Sequence, residues 1–199
     1  MDALTVEASL FSYRFVEALT WAAWEHQGQF RKGTTTPYIS HPLAVAGLVM
    51  EHGGSEDETI AALFHDVAED RGGKMKIDQI RIRFGTTVAD IVASCSDDLP
   101  APGQSKAPWE LRKKNYLRHL ATTTPSAQLV SLADKVHNLR TIVTGCRHEG
   151  ETFWDRFNAK KEGTLWYYKS LVVVFDNAKV PGELAEELRR TLAALERLV

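Results

Sequence analysis

The sequence predicts an all-α fold, and three observations carry that prediction. Apolar residues recur at spacings of three and four in one segment after another between residues 10 and 195. Helix-starting residues (Ser40, Ser55, Pro181) and helix-stopping glycines (Gly28, Gly85, Gly145) stand between these segments. A strand-like alternation is missing, and only the run 171–175 reads as well as a strand as it does as a helix. With 199 residues, no internal repeat and no linker, the chain suits a single domain over 1–199.

Taken in order, Phe11, Phe15, Ala18, Leu19 and Ala22 predict a helix over 10–27 that Gly28 closes. A polar loop with Arg31, Lys32 and a threonine run follows. Ser40 is the expected N-cap of a helix over 41–51, with Pro42 in its first turn and Leu43, Val45, Ala46 and Val49 buried. Ser55, followed by Glu56, Asp57 and Glu58, caps the next helix, which Gly72 and Gly73 end. Short helices are expected over 77–84 and 87–94. Residues 97–108 hold three prolines and a glycine and read as an exposed loop long enough to serve as a lid.

A basic helix over 109–120 and a helix over 127–143, ended by Gly145, come next. Residues 147–161 are highly charged, and Phe153, Trp154 and Phe157 suggest a partly helical lid. An aromatic helix over 163–178 precedes the last helix. There Leu184, Leu188, Leu192 and Leu195 form a stripe that serves either as a core seam or as a subunit contact, so a homo-oligomer stays open.

Net charge is −2 with 25% charged residues, which speaks against a general nucleic-acid or anionic-membrane binder. The apolar runs are too short to span a bilayer, and the first ten residues lack the basic region of a signal peptide. Cys95 and Cys146 form no CxxC pattern. A cytoplasmic protein with both thiols reduced is expected.

The chemistry concentrates in Ala61-Ala-Leu-Phe-His65-Asp66-Val-Ala-Glu69-Asp70. On one helix His65 and Asp66 stand about 100° apart, Glu69 shares their face, and Asp70 follows four after Asp66. Three carboxylates and an imidazole in so short a span make a poor core unless they are paired or ligating. Downstream, Asp134 lies among apolar residues in Ser131-Leu-Ala-Asp134-Lys135-Val-His137-Asn138-Leu-Arg140. Alone, Asp134 reads equally well as a salt-bridge partner of Lys135 or Arg140. Together with His41, His65 and Asp66 it completes two imidazoles and two carboxylates from three helices. That set suits Mn²⁺, Fe²⁺ or Zn²⁺ with positions open for water and substrate.

His41, His65-Asp66 and Asp134 in this order resemble the H…HD…D signature of HD-domain phosphohydrolases. Further stretches match in order: His26-Gln-Gly-Gln-Phe-Arg31-Lys32, Pro37-Tyr-Ile-Ser-His41-Pro-Leu, residues 80–85, and Leu132-Ala-Asp134-Lys135-Val-His-Asn138-Leu. Over about residues 10–145 the text is similar to the hydrolase domain of Rel/Spo-type alarmone enzymes and their small stand-alone relatives.

The resemblance implies an HD-domain helical bundle. It implies a metal, usually Mn²⁺, held by His41, His65, Asp66 and Asp134, and removal of the 3′-pyrophosphate from guanosine tetra- and pentaphosphate. It assigns Glu69 and Asp70 to the attacking water and Arg31, Lys32, Lys135 and Asn138 to the nucleotide. Two of these keep a plainer alternative: Lys135 as an ion-pair partner of the cluster, and Arg31 with Lys32 as a solvated loop pair. After residue 145 the resemblance fades, and the chain has no room for the synthetase domain of the bifunctional members.

Other readings remain at this stage. The same metal site could serve an adenine alarmone, a nucleoside monophosphate or a dinucleotide phosphate, or the chain could be an inactive nucleotide sensor. His26 and His137 read as structural histidines, and the Asp97-Asp98 pair as solvated loop acids. Trp166, Tyr167 and Tyr168 read as core, with stacking on a purine the alternative.

Overall fold

The computed structural model describes residues 11–97 and 105–199, and within them every side chain except that of Asp70. The described residues form helices joined by short turns, and their only β-type pairing is an isolated bridge between Phe30 and Pro37. Helix α1 (Tyr13–Glu25) starts at Ser12, whose hydroxyl accepts the Arg14 N–H. Helix α2 (Ser40–Glu51) includes Ser40 as its first residue. Its N-cap position falls on Ile39 without a side-chain cap, so Ser40 does not cap as expected. Leu43 is also turned outward.

Ser55 caps α3 (Glu56–Phe64) through a reciprocal box with Glu58: the Ser55 hydroxyl accepts the Glu58 N–H, and the Glu58 carboxylate accepts the Ser55 N–H. The helix through His65 and Asp66 is not continuous. It ends at Phe64, and α4 (Val67–Arg71) begins after Asp66. His65 Nδ1 bonds the Ala62 carbonyl at 2.8 Å, the acceptor that the Asp66 N–H would use in an unbroken helix.

Next come α5 (Lys74–Phe84), α6 (Thr86–Cys95) and α7 (Trp109–Leu120), close to their expected bounds. Helix α8 (Pro125–Glu149) starts on the Thr124 cap and Pro125. It runs through Gly145, where an end was expected. Gly145 serves close approach instead: a Cβ there would stand 2.0 Å from Phe153 Cε2. Phe153 belongs to a 3-10 helix (Gly150–Arg156) that folds back against α8. Helices α9 (Lys160–Asp176) and α10 (Gly182–Glu196) complete the chain, so residues 171–175 are helical.

Helix α3 is the centre of the packing. Ile60 to Phe64 are fully buried, and the helix touches α1, α2, α6 and α8. One continuous apolar cluster extends from Ala18 to Leu195 and includes the α10 leucine stripe, which packs inside this chain against α8 and α9. The stripe is therefore a core seam. Cys95 and Cys146 are free thiols. No helix among the described residues is long and apolar enough to cross a membrane.

Candidate metal centre and active-site cleft

The contacts of α3 with α2 and of α2 and α3 with α8 bring three distant pieces of sequence together. His41 comes from the first turn of α2, His65 and Asp66 from the break after α3, and Asp134 from the middle of α8. His41 Nε2 lies 3.1 Å from His65 Nε2, 3.4 Å from Asp66 Oδ2 and 3.1 Å from Asp134 Oδ1. His65 Nε2 lies 3.1 Å from Asp66 Oδ2 and 3.6 Å from Asp134 Oδ1. Ligands about 2.1 Å from one ion stand roughly 3.0 to 3.4 Å from one another, so these spacings suit a single divalent metal.

The far side of each imidazole is held. His65 Nδ1 must donate to the Ala62 carbonyl, which leaves Nε2 as a lone pair toward the cluster. His41 Nδ1 meets His137 Nδ1 at 2.7 Å. Burial, with His41 and Arg31 nearby, pushes the His137 imidazole down to about 4, so it is neutral and can accept from His41. His137 is structural, as expected, and its task is to orient His41.

Burial opposes charge on His65, yet Asp66 and Asp134 raise its pKa well above the usual value. Burial likewise opposes charge on the two acids. His65 and His41 nevertheless hold Asp66 well below the carboxylate range, and Lys135 with both histidines does the same for Asp134. A cation at this point satisfies both carboxylates and both imidazole lone pairs.

Asp134 reconciles the two readings of its sequence. Oδ2 accepts from Lys135 Nζ at 2.5 Å, while Oδ1 faces His41 and accepts from Asn138 Nδ2 at 2.5 Å. Asn138 Oδ1 in turn accepts from Arg31 Nη2 at 2.7 Å.

Beside the cluster lies a cleft of about 380 Å³. Arg31, Lys32, Lys135 and Asn138 all line it, with Lys113 and Arg156 as further cations. Arg31 also lies over the Tyr38 ring. Tyr38 joins the cleft to the cluster, since its hydroxyl donates to Asp66 Oδ2 at 2.5 Å. The wall opposite is aromatic and comes from beyond residue 145: Phe153, Phe157, Tyr167 and Tyr168. Both tyrosines are buried, as a core reading requires, yet both face the cleft. The Tyr167 hydroxyl has no hydrogen-bond partner among the described residues. Trp166 lies outside this wall.

Glu69, on α4, stands apart from the cluster and makes no hydrogen bond to its four residues among those described. It accepts the Asp97 N–H at 2.7 Å and Lys106 Nζ at 3.1 Å. Burial and then the Asp97 charge raise its pKa, against the pull of those two donors. Asp97 is not a solvated loop acid. Its side chain is 5% exposed, with Arg112 Nη1 forked onto both oxygens and Lys113 on one. The Asp70 side chain and Asp98 lie outside the described residues.

Sequence reasoning missed Tyr38 and Asp97 as a buried anion. Tyr38 stands within a quoted motif, and its ring three residues before His41 was the available signal. The wall was half seen: Phe153 and Phe157 read as part of a lid, and Tyr167 and Tyr168 as core with purine stacking the alternative, without a sign that the four meet at one cleft.

The family model of the HD domain matches residues 18–165. The chain belongs to the HD-domain family. Among similar HD proteins, the guanosine-3′,5′-bis(diphosphate) 3′-pyrophosphohydrolase MESH1 of Xenopus tropicalis is 38% identical over 138 residues, 68% of this chain and 72% of that protein. The MESH1 protein of Homo sapiens is 35% identical over 140 residues, 69% of this chain and 73% of its own length. A solved structure described as a metazoan ortholog of SpoT that hydrolyses ppGpp matches with a TM-score of 0.77 at 26% identity, over 96% of this chain and all of that one.

Proposed function

We propose that this HD-domain chain is a single-domain, metal-dependent hydrolase that removes the 3′-pyrophosphate of guanosine-3′,5′-bis(diphosphate) and releases pyrophosphate. The observation that carries the reading is the junction of two surfaces. A histidine–carboxylate cluster with ligand spacings is bonded by Tyr38, Lys135 and Asn138, which line a cleft of cations and aromatic rings, in a chain whose relatives are named for this activity.

His41, His65, Asp66 and Asp134 would hold the ion, with Mn²⁺ the choice that the family resemblance favours. Bound there, a divalent metal lowers the pKa of water and draws charge from a phosphoryl oxygen. The chain's own groups do the rest. Arg31, Lys32 and Lys135 meet the phosphates, and their charges offset a polyanion's entry into a half-buried cleft. Tyr167 and Tyr168 give ring surface, and Tyr167 also offers a hydroxyl with no internal partner.

Glu69 takes a proton from the attacking water, the role that the resemblance assigns to it, and burial with the Asp97 charge raises its proton affinity. The Asp97 N–H fixes one of its oxygens. In the balanced reaction the water oxygen bonds to the phosphorus next to the ribose 3′ oxygen. That P–O bond breaks, the 3′ oxygen leaves with a proton equivalent to the one Glu69 took from the water and so becomes a hydroxyl, and pyrophosphate departs. Asp70 is the second acid that the resemblance assigns to this step.

The test uses protein stripped of metal, then given Mn²⁺ and a panel of guanosine alarmones, adenosine alarmones and simple nucleotides. Pyrophosphate released from guanosine tetraphosphate is the expected result. Orthophosphate released only from another nucleotide would overturn the reading.

A further inference from the structure

Helix α8 carries a second charged surface, on the side away from the cleft. Residues on a helix advance by about 100° each. Asn138, Thr141 and Ile142 face the cleft, so Arg140, Thr144 and Arg147 lie about half a turn around the same helix. Across from them, α10 presents Glu187, Arg190 and Thr191, and the two helices enclose a groove of about 370 Å³.

Arg140 is tied down, because its Nε donates to Glu187 Oε1 at 2.5 Å. Arg147 and Arg190 have no ion-pair or hydrogen-bond partner among the described residues, and neither do the hydroxyls of Thr144 and Thr191. Three arginines thus face one carboxylate, in a chain whose net charge is −2. The groove also differs from the cleft in kind. No aromatic side chain lines it, whereas the cleft is walled by rings.

We propose that this groove is a second anion site that takes a compact inorganic polyphosphate, of which pyrophosphate is the simplest. Guanidinium forks match phosphate oxygens in pairs, and the threonine hydroxyls add neutral donors between them. Two free arginines on separate helices suit an anion with two charged centres better than one with a single centre. A nucleotide's base would find no ring to stack on. The groove stands independently of the proposed reaction; only the idea that the enzyme meets its own product there rests on that reading.

Calorimetric titration of metal-free protein with pyrophosphate, and separately with guanosine triphosphate, tests the site. The double variant Arg147→Gln/Arg190→Gln is expected to lose a pyrophosphate-binding component, weakened about tenfold or more, while its guanosine triphosphate isotherm stays unchanged. Its melting temperature and its hydrolysis of guanosine tetraphosphate without added pyrophosphate should match the parent protein. An unchanged pyrophosphate isotherm would remove the site. Equal loss with guanosine triphosphate would make it a nucleotide site and overturn the inorganic assignment. If the parent protein hydrolyses no alarmone, the proposed function fails while the titration still decides the groove.

Discussion

The metal cluster and the cleft wall are joined through Tyr38, Lys135 and Asn138 but are built on different terms. The cluster brings His41, His65, Asp66 and Asp134 together from α2, the α3–α4 break and α8. His41 is fully buried and Asp134 nearly so, and such groups are tolerated inside a protein only when something compensates them. The wall is made of tyrosines, phenylalanines and cations from the 31–38 loop, α7, the 3-10 helix and α9. These residue types also serve as ordinary core or ordinary surface. A site made of residues that violate core composition announces itself; a site made of residues that obey it does not.

The contrast breaks most sharply at Asp66. Its Oδ2 lies 3.1 Å from His65 Nε2 and accepts from Tyr38. Asp66→Ala is expected to abolish Mn²⁺ binding and to lower turnover at least about a thousandfold, the scale of losing several kcal/mol of charge stabilisation. Equilibrium dialysis with Mn²⁺ beside a pyrophosphate-release assay checks both, and surviving turnover would show that the cluster is not the catalytic centre. Glu69 gives the next largest effect. Glu69→Gln keeps an oxygen for the Asp97 N–H but cannot take a proton. We expect Mn²⁺ affinity within experimental error of the parent and kcat down about a hundredfold or more, with KM little changed. A fully active variant takes Glu69 out of the mechanism.

How far the sequence could be read follows the same division. Apart from the α3–α4 break and the end of α8, helical spacing gave the helices to within a few residues because the core stripes are regular, as in Leu184, Leu188, Leu192 and Leu195. The break at His65 was hidden because both residues keep right-handed backbone angles, φ −54° and −98°. The imidazole's bond to the Ala62 carbonyl, at the acceptor of the missing helix bond, accompanies the break. Gly145 misled for a related reason. A glycine inside an apolar pattern reads as a stop, whereas here it makes room for a ring eight residues further on. Asp97 was misjudged because its partners, Arg112 and Lys113, lie 15 and 16 residues further along the chain. Tertiary contacts of this kind leave no periodic trace.

The wall offers a change that leaves the cluster alone. In Gly145→Ala the new methyl group would meet the buried Phe153 ring, so the ring or the 3-10 helix must shift. Such overpacking costs about 1–3 kcal/mol of unfolding free energy, to be read from urea denaturation. Because Phe153 lines the cleft, KM for guanosine tetraphosphate should rise while Mn²⁺ affinity holds. If KM is unchanged while stability falls, Phe153 belongs to the core and not to the substrate surface.

The smallest expected effect is at Asp97, which joins the two regions by donating its N–H to Glu69 and accepting from Arg112 and from Lys113, a residue of the wall. Burial raises the Asp97 pKa, but Lys113 and then Arg112 outweigh it, and the folded value lies below the ordinary one. A carboxyl depressed in the folded state contributes stability above its unfolded pKa, about 3.9, and loses it as pH falls through the folded value. Asp97→Asn keeps an oxygen for Arg112 and should cost about 1 kcal/mol near neutral pH, the scale of one net hydrogen bond. The denaturation midpoints of variant and parent should begin to converge as pH falls below about 4 and meet only below the folded value, where the parent carboxyl is neutral in both states. A gap that stays constant to low pH would assign the loss to packing. The same substitution removes the negative neighbour that helps to raise Glu69, so the acid limb of the pH–rate profile should move to lower pH. A limb that stays in place would show that Asp97 steadies the loop without setting the proton affinity of Glu69.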